Sequence, residues 1–179
     1  GFPHKLNPEF GFAASGTGIP VQGRKTVWLG MGGVKSRVFK SEDGGMNWSV
    51  AETPVVHGGQ STGIYSVAFK NKKVGISVGG DYTNQSIKNT MAYTNDGGAT
   101  WHLPAKQTHQ YRECVAHYRG NIFFAVGPSG FDMTTDNGKN WHPHYWEVNN
   151  LTAVAFAKRS NVGFAIGKGG QIYKIKVNH

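Results

Sequence analysis

The chain has 179 residues, 26 of them glycine, and 19 Lys+Arg against 10 Asp+Glu give a formal charge of +9. Its 5 Trp, 7 Tyr and 10 Phe carry too much aromatic surface for a disordered linker, and the length suffices for one ordinary domain or one large all-β domain with a real core. One cysteine, Cys114, excludes an intrachain disulfide scaffold and a cysteine-rich zinc module, and no run approaches the roughly 20 apolar residues of a membrane helix.

The N-terminus, Gly1-Phe2-Pro3-His4-Lys5, has no initiating Met and no basic-then-apolar signal pattern, as expected of a processed form or a piece of something longer. A secreted or periplasmic location is weakly favoured. A first unit, about residues 11–55, holds the apolar run Val27-Trp28-Leu29 ending at Gly30, then Ser41-Glu42-Asp43-Gly44-Gly45-Met46-Asn47-Trp48. A second, 62–104, holds Tyr65–Phe69, then Ile76-Ser77-Val78 before Gly79, then Thr94-Asn95-Asp96-Gly97-Gly98-Ala99-Thr100-Trp101. A third, 111–145, holds Glu113–His117, Phe124-Ala125-Val126 before Gly127, then Thr134-Thr135-Asp136-Asn137-Gly138-Lys139-Asn140-Trp141. A fourth, 151–179, holds Thr152–Phe156 and Phe164-Ala165-Ile166 before Gly167, but Lys174 and Lys176 fall where the Ser/Thr and Asp belong.

Three boxes of the form [Ser/Thr]-x-Asp-x-Gly-x-x-Trp, spaced by roughly 40 to 50 residues, match the length of a four-stranded propeller blade with varying loops. Segments this short, β-branched and aromatic, punctuated by Gly and Asn, are strands rather than helices. The predicted fold is therefore all-β: a β-propeller of four-stranded antiparallel blades, about four in this chain, as one domain over 1–179 or as part of a larger ring. The fourth unit lacks its last strand, which residues 1–10, another chain or further sequence would have to supply. A homodimer of two half-rings, or further blades, is the expected means of closure.

In each box the Asp carboxylate and the Ser/Thr hydroxyl can serve the backbone of the turn, while Gly45, Gly98 and Gly138 suit positive φ. Trp48, Trp101 and Trp141 are expected to bury their rings between neighbouring units. These residues are read as structural, with no metal role, since a calcium site needs several converging carboxylates and each turn offers one.

The pattern resembles the Asp-box (BNR) β-propellers, which include sialidases, other glycosidases and many non-enzymatic proteins. Phe12-Ala13-Ala14-Ser15-Gly16, Arg37–Gly45, Gly63–Phe69, Val78–Tyr82 and Val126–Gly130 further resemble bacterial propellers related to the photosystem II stability/assembly factors, over about residues 11–175. That family usually has seven blades and about twice this length, so the resemblance implies the C-terminal four. It also implies a non-enzymatic platform for protein binding or assembly, with no cofactor; the alternative is a glycan-binding or sialidase-like propeller.

A sialidase needs an arginine triad, a Tyr nucleophile activated by Glu, and an acidic acid/base. By register Arg24, Arg119 and Arg159 lie at turns on the opposite face from Arg37 and Arg112, and no Glu is paired in register with a Tyr, so no catalytic residue is assigned. His142 and His144 alternate on a strand and are read as ordinary surface histidines, and Cys114 as buried and inert. The longer loops, 52–61, 80–89, 106–112 and 143–150, carry the candidate binding residues Tyr82, Lys88, His109, Tyr111, Arg112, Tyr145 and Trp146. Much of the positive charge falls on the opposite turns, at Arg24-Lys25, Lys70–Lys73, Arg119 and Lys158-Arg159, which favours another protein, an anionic surface or a polysaccharide as partner. Nucleic acid is disfavoured, because these turns lack interleaved aromatics.

Overall fold

The computed structural model describes residues 1–108, 110–144 and 148–177. Among them there is no α-helix, only one 3-10 turn at Lys168–Gly170, and no helix is long and apolar enough to cross a membrane. The strands form consecutive antiparallel groups, each running from an inner strand outward, which is the arrangement of propeller blades.

The first blade has β2 (Val21–Gln22), β3 (Thr26–Gly33), β4 (Arg37–Ser41) and β5 (Ser49–Glu52). The second has β6 (Thr62–Phe69), β7 (Gly75–Asp81) and β8 (Met91–Thr94), and its outer edge is reduced to the bridge Tyr93↔His102. The third has β9 (Cys114–Arg119), β10 (Ile122–Gly127), β11 (Gly130–Thr134) and β12 (His142–His144). Among the described residues the fourth has three strands, β13 (Leu151–Phe156), β14 (Val162–Gly167) and β15 (Ile172–Lys176). The pair Gly32↔Gly63 joins β3 of the first blade to β6 of the second, and the Val67 N–H bonds the Thr17 carbonyl beside it.

Alternation sorts the strand residues into two faces per blade, and three apolar clusters fill the gaps between blades. Trp28 and Val38 meet Val67, Phe69, Ala92 and Trp101 between blades one and two. Ile76, Val78 and Met91 meet Val115, Phe123, Ala125 and Trp141 between two and three. Phe124, Val126 and Phe131 meet Val154 and Ala165 between three and four. Trp101 and Trp141 therefore each pack on the blade before their own.

Two expectations are corrected. The sequence frame set Leu29 level with Val78, but the glycine of the following box lies against Trp28 in blade one and against Ile76 in blade two. Trp28 is the counterpart of Ile76, so the first run is shifted by one residue, which in a strand exchanges the faces. Residues 1–10 do not complete the fourth blade either. Strand β1 (Glu9–Phe10) pairs with β3, Glu9 holds Arg37 through bonds of 2.6 and 2.7 Å, and Phe2 rests on Phe39 and Trp48 of blade one. Trp141 is fully buried, whereas Trp48 is only half-buried, because the first blade has no predecessor among the described residues except this N-terminal segment.

Candidate functional site

The three boxes share one geometry. Each Ser/Thr hydroxyl donates to its Asp (Ser41 to Asp43 at 2.9 Å, Thr94 to Asp96 at 2.8 Å, Thr134 to Asp136 at 2.9 Å) and accepts the amide N–H of Gly45, Gly98 or Gly138. The same Asp accepts the backbone N–H four residues on, and its second oxygen accepts the side chain there: Asn47, Thr100 or Asn140. Sequence reading overlooked these residues, although their signal was present as Asn, Thr and Asn immediately before each Trp. At Gly138, φ is +86° and a Cβ would meet Ile76 Cδ1 at 2.9 Å, so both turn geometry and the neighbouring blade select glycine.

These bonds favour the ionised carboxylates. The Asn47 amide, the Asn47 side chain and the Ser41 hydroxyl lower Asp43 from 3.8 to about 2. Burial works against the charge at Asp96, but the Thr100 hydroxyl and amide with Thr94 hold it at about 2; Asp136 is lowered in the same manner through Asn140. A depressed folded value means that the stabilisation is complete above the unfolded value and disappears as pH falls through the folded one. The expected result is an acid unfolding limb between about pH 4 and pH 2 that flattens in Asp96→Asn, read by circular dichroism across a pH series.

The boxes fix the blades, and the blades bring side chains together at one mouth of the array. Phe12 of the segment entering blade one stacks on Tyr65 of blade two at 4.1 Å, and Tyr65 meets the edge of Tyr111 of blade three at 5.0 Å. Tyr65 also donates to the Ser61 carbonyl at 2.8 Å. Asp81 and Tyr82, in the loop after β7, lie close enough to Tyr65 to act on it electrostatically. Glu113, just before β9, interacts with the Tyr111 hydroxyl and feels the charge of Lys168 from the fourth blade. Blades one to three thus contribute to one aromatic surface with a carboxylate beside it, on which Lys168 of the fourth blade acts electrostatically. Partial burial pushes the Glu113 carboxyl up, with Lys168 and Tyr111 opposing; burial and the adjacent acid push the Tyr111 and Tyr65 hydroxyls up as well.

Of the candidate binding residues, Tyr82 and Lys88 are exposed on this face. Tyr111 is buried, with Glu113 two residues on acting on its hydroxyl, and no strand pair among the described residues sets a Glu opposite a Tyr. Arg112 is buried too: its Nε donates to Asp132 at 2.6 Å and its Nη1 to Ser129 and the Tyr111 carbonyl. It locks the loop carrying Tyr111 instead of reaching solvent, a role that the absence of periodicity in that loop concealed. His109, Tyr145 and Trp146 lie outside the described residues. Glu113 and Lys168 were absent from the candidates because one was read as a strand residue and the other as part of a glycine turn.

On the opposite side, the turns between β2 and β3, β6 and β7, β9 and β10, and β13 and β14 carry Arg24-Lys25, Lys70–Lys73, Arg119 and Lys158-Arg159. Lys70 donates to Asn121 at 2.8 Å, linking the second and third of these turns. The inner strands of all four blades line a cavity opening nearby, with Val67–Phe69, Val115–His117 and Val154–Phe156 on its walls. Cys114 is buried, 3.6 Å from the Thr17 hydroxyl, and among the described residues no three His, Cys, Asp or Glu side chains gather as a metal would require. His142 and His144 lie on β12, where His144 stacks on Phe131 at 5.1 Å.

The BNR/Asp-box repeat model matches residues 92–103, the second of the three boxes, so the chain carries that repeat. No curated protein matches the sequence. Among solved structures, YCF48 bound to D1 peptide is similar at 20% identity and TM-score 0.53, over 93% of this chain and 57% of that one. A GH74 enzyme from Niastella koreensis is similar at 15% identity and TM-score 0.59, over 85% of this chain and 27% of that one. The computationally designed Ika4 protein is similar at 14% identity and TM-score 0.59, over 93% of this chain and 96% of that one. The chain thus spans little more than half of YCF48 and about a quarter of the glycoside hydrolase. At these identities the likeness establishes the fold, a β-propeller with Asp-box turns.

Proposed function

We propose that this chain is a non-enzymatic docking platform that holds an extended protein segment across the mouth formed by Phe12, Tyr65, Tyr82, Tyr111, Glu113 and Lys168. The observation that carries the reading is the contact of Phe12, Tyr65 and Tyr111, rings from three blades, with Glu113 acting on Tyr111, Lys168 of the fourth blade acting on Glu113, and the nearby Tyr82 57% exposed. Rigid aromatic side chains over a fixed scaffold give contact area at low entropic cost, and a partly desolvated carboxylate gains from a ligand's N–H donors or cation. That YCF48, of related fold, is seen with a bound peptide supports the reading.

The hydrolase alternative is less well supported. A tyrosine nucleophile needs a hydroxyl that ionises readily, whereas Tyr111 is pushed the other way, and Arg112 is committed to Asp132. The basic turns on the far side favour acidic surroundings for whatever the mouth holds.

Selection of displayed 15-residue peptides on the immobilised chain tests this, followed by calorimetry of the best binder. Tyr82→Ala and Glu113→Gln are each expected to weaken binding by about tenfold or more with the fold intact by circular dichroism. Peptides that bind equally well to both variants, or hydrolysis of xyloglucan or a sialoside by the chain, would overturn the proposal.

A further inference from the structure

The face opposite the mouth carries a charge array built from separate residues. The turns between β2 and β3, β6 and β7, β9 and β10, and β13 and β14 project from it, together with the Asp boxes. One repeated backbone bond ties each of the first three turns to the box of its own blade. Gly44 N–H bonds the Lys25 carbonyl at 3.0 Å, Gly97 N–H the Lys73 carbonyl at 2.7 Å, and Asn137 N–H the Asn121 carbonyl at 3.1 Å. Neighbouring turns are tied as well: Gln22 Nε2 donates to the Phe69 carbonyl at 2.8 Å, Lys70 Nζ donates to Asn121, and the Tyr118 ring meets Phe156 at 5.0 Å. Within the second turn, Asn71 Oδ1 accepts the N–H groups of both Lys73 and Val74. The tips are thus fixed relative to one another.

Their charge is one-sided. The box carboxylates Asp43, Asp96 and Asp136 already accept bonds inside their own turns, and Glu42 is paired with Lys40 at 3.3 Å. Arg24, Lys25, Lys72, Lys73, Lys158 and Arg159 are exposed, and among the described residues no carboxylate pairs with any of them. Sheets stacked face to face lie about 10 Å apart, close to one Debye length at about 0.1 M salt, so the fields of neighbouring tips overlap.

What the tips lack selects the partner. Residues 23–25, 70–74, 119–121 and 157–160 include no aromatic side chain, whereas protein interfaces centre on aromatic anchors seated in pockets. The charges stand on separate projecting tips, whereas a linear polyanion is held along a groove. A bilayer surface asks only for positive charge presented on one face. We propose that this face rests on an anionic lipid surface, with the Arg24-Lys25, Lys72-Lys73 and Lys158-Arg159 tips at the headgroups and the mouth turned to the opposite side. The contact is electrostatic, without insertion, and salt reverses it.

Flotation of the 179-residue protein with vesicles tests this. Binding is expected to phosphatidylcholine vesicles holding about one third phosphatidylglycerol and not to phosphatidylcholine alone, with release in about 1 M salt, where the Debye length falls to about 3 Å. Lys72→Ser with Lys73→Ser, and Lys158→Ser with Arg159→Asn, remove two charges each. Asn suits the positive φ of 59° at Arg159, and no carboxylate is left unpaired, so circular dichroism should be unchanged. At about fivefold per charge, each pair should weaken vesicle binding by about 25-fold. Lys88→Ser with Lys168→Ser removes the same charge from the mouth side and should leave vesicle binding as it was. Peptide affinity at the mouth should be unaltered in the turn variants, so failure here and failure there are distinguishable. The proposal is overturned if the protein does not float with anionic vesicles at low salt, or if the mouth-side variant loses as much binding as the turn variants. Heparin, a soluble sulfated polysaccharide, bound through these turns by protein that ignores the vesicles would overturn it too.

Discussion

Trp141→Ala is expected to destabilise the protein by about 3–5 kcal/mol, read as a shift in the urea midpoint. The ring is fully buried among Ile76, Val78 and Met91 of the preceding blade and Val115, Phe123 and Ala125 of its own, so truncation removes transfer energy and leaves a cavity that two rigid sheets cannot close. Trp48→Ala, the same change in the same motif, is expected to cost only about 1 kcal/mol, because that ring is half-buried against Phe2. Contacts in a repeat array run mainly between neighbours, so the loss at Trp141 should also broaden the transition as the blades uncouple. Equal effects at the two positions would refute the assignment of Trp141 to the interface with the preceding blade.

Asp132→Ala is expected to cost about 3–5 kcal/mol as well, for a different reason. It leaves the Arg112 guanidinium buried with its main acceptor gone, an uncompensated charge in a low-dielectric setting. Removing both partners, as Arg112→Met with Asp132→Ala, should recover much of the loss, and the double-mutant cycle measures the coupling. The mouth supplies a second readout. Arg112 also holds the Tyr111 carbonyl and Ser129, so freeing the loop should lower peptide affinity more than Lys88→Ala does. Unchanged affinity in a folded Asp132→Ala protein would mean that the loop is positioned by other contacts.

The fold was legible because its punctuation is chemical. Asp43, Asp96 and Asp136 recur with their hydroxyl, glycine and tryptophan at fixed offsets, since one turn geometry needs all four. The departure of the fourth blade from the repeat was equally visible in Lys174 and Lys176 standing where a box belongs. Strand register was less accessible: Val27-Trp28-Leu29-Gly30 looks like its counterparts, and only contact with the next blade's glycine shows the shift by one residue. The mouth was hardest to see. Phe12, Tyr65, Glu113 and Lys168 come from four blades and share no local pattern, so sequence highlighted exposed loop residues and took Arg112 for one of them. A buried arginine and an exposed one differ only in whether a carboxylate such as Asp132 waits across the sheet.

The most direct test of the docking account is hydrogen exchange of the chain with and without its best selected peptide. The account requires slowed exchange at Phe12–Ala13, Asp81–Tyr82, Tyr111–Glu113 and Lys168, segments far apart in sequence that only this fold unites. Protection confined to the basic turns at Lys70–Lys73 and Lys158-Arg159, with those four segments unchanged, would contradict it.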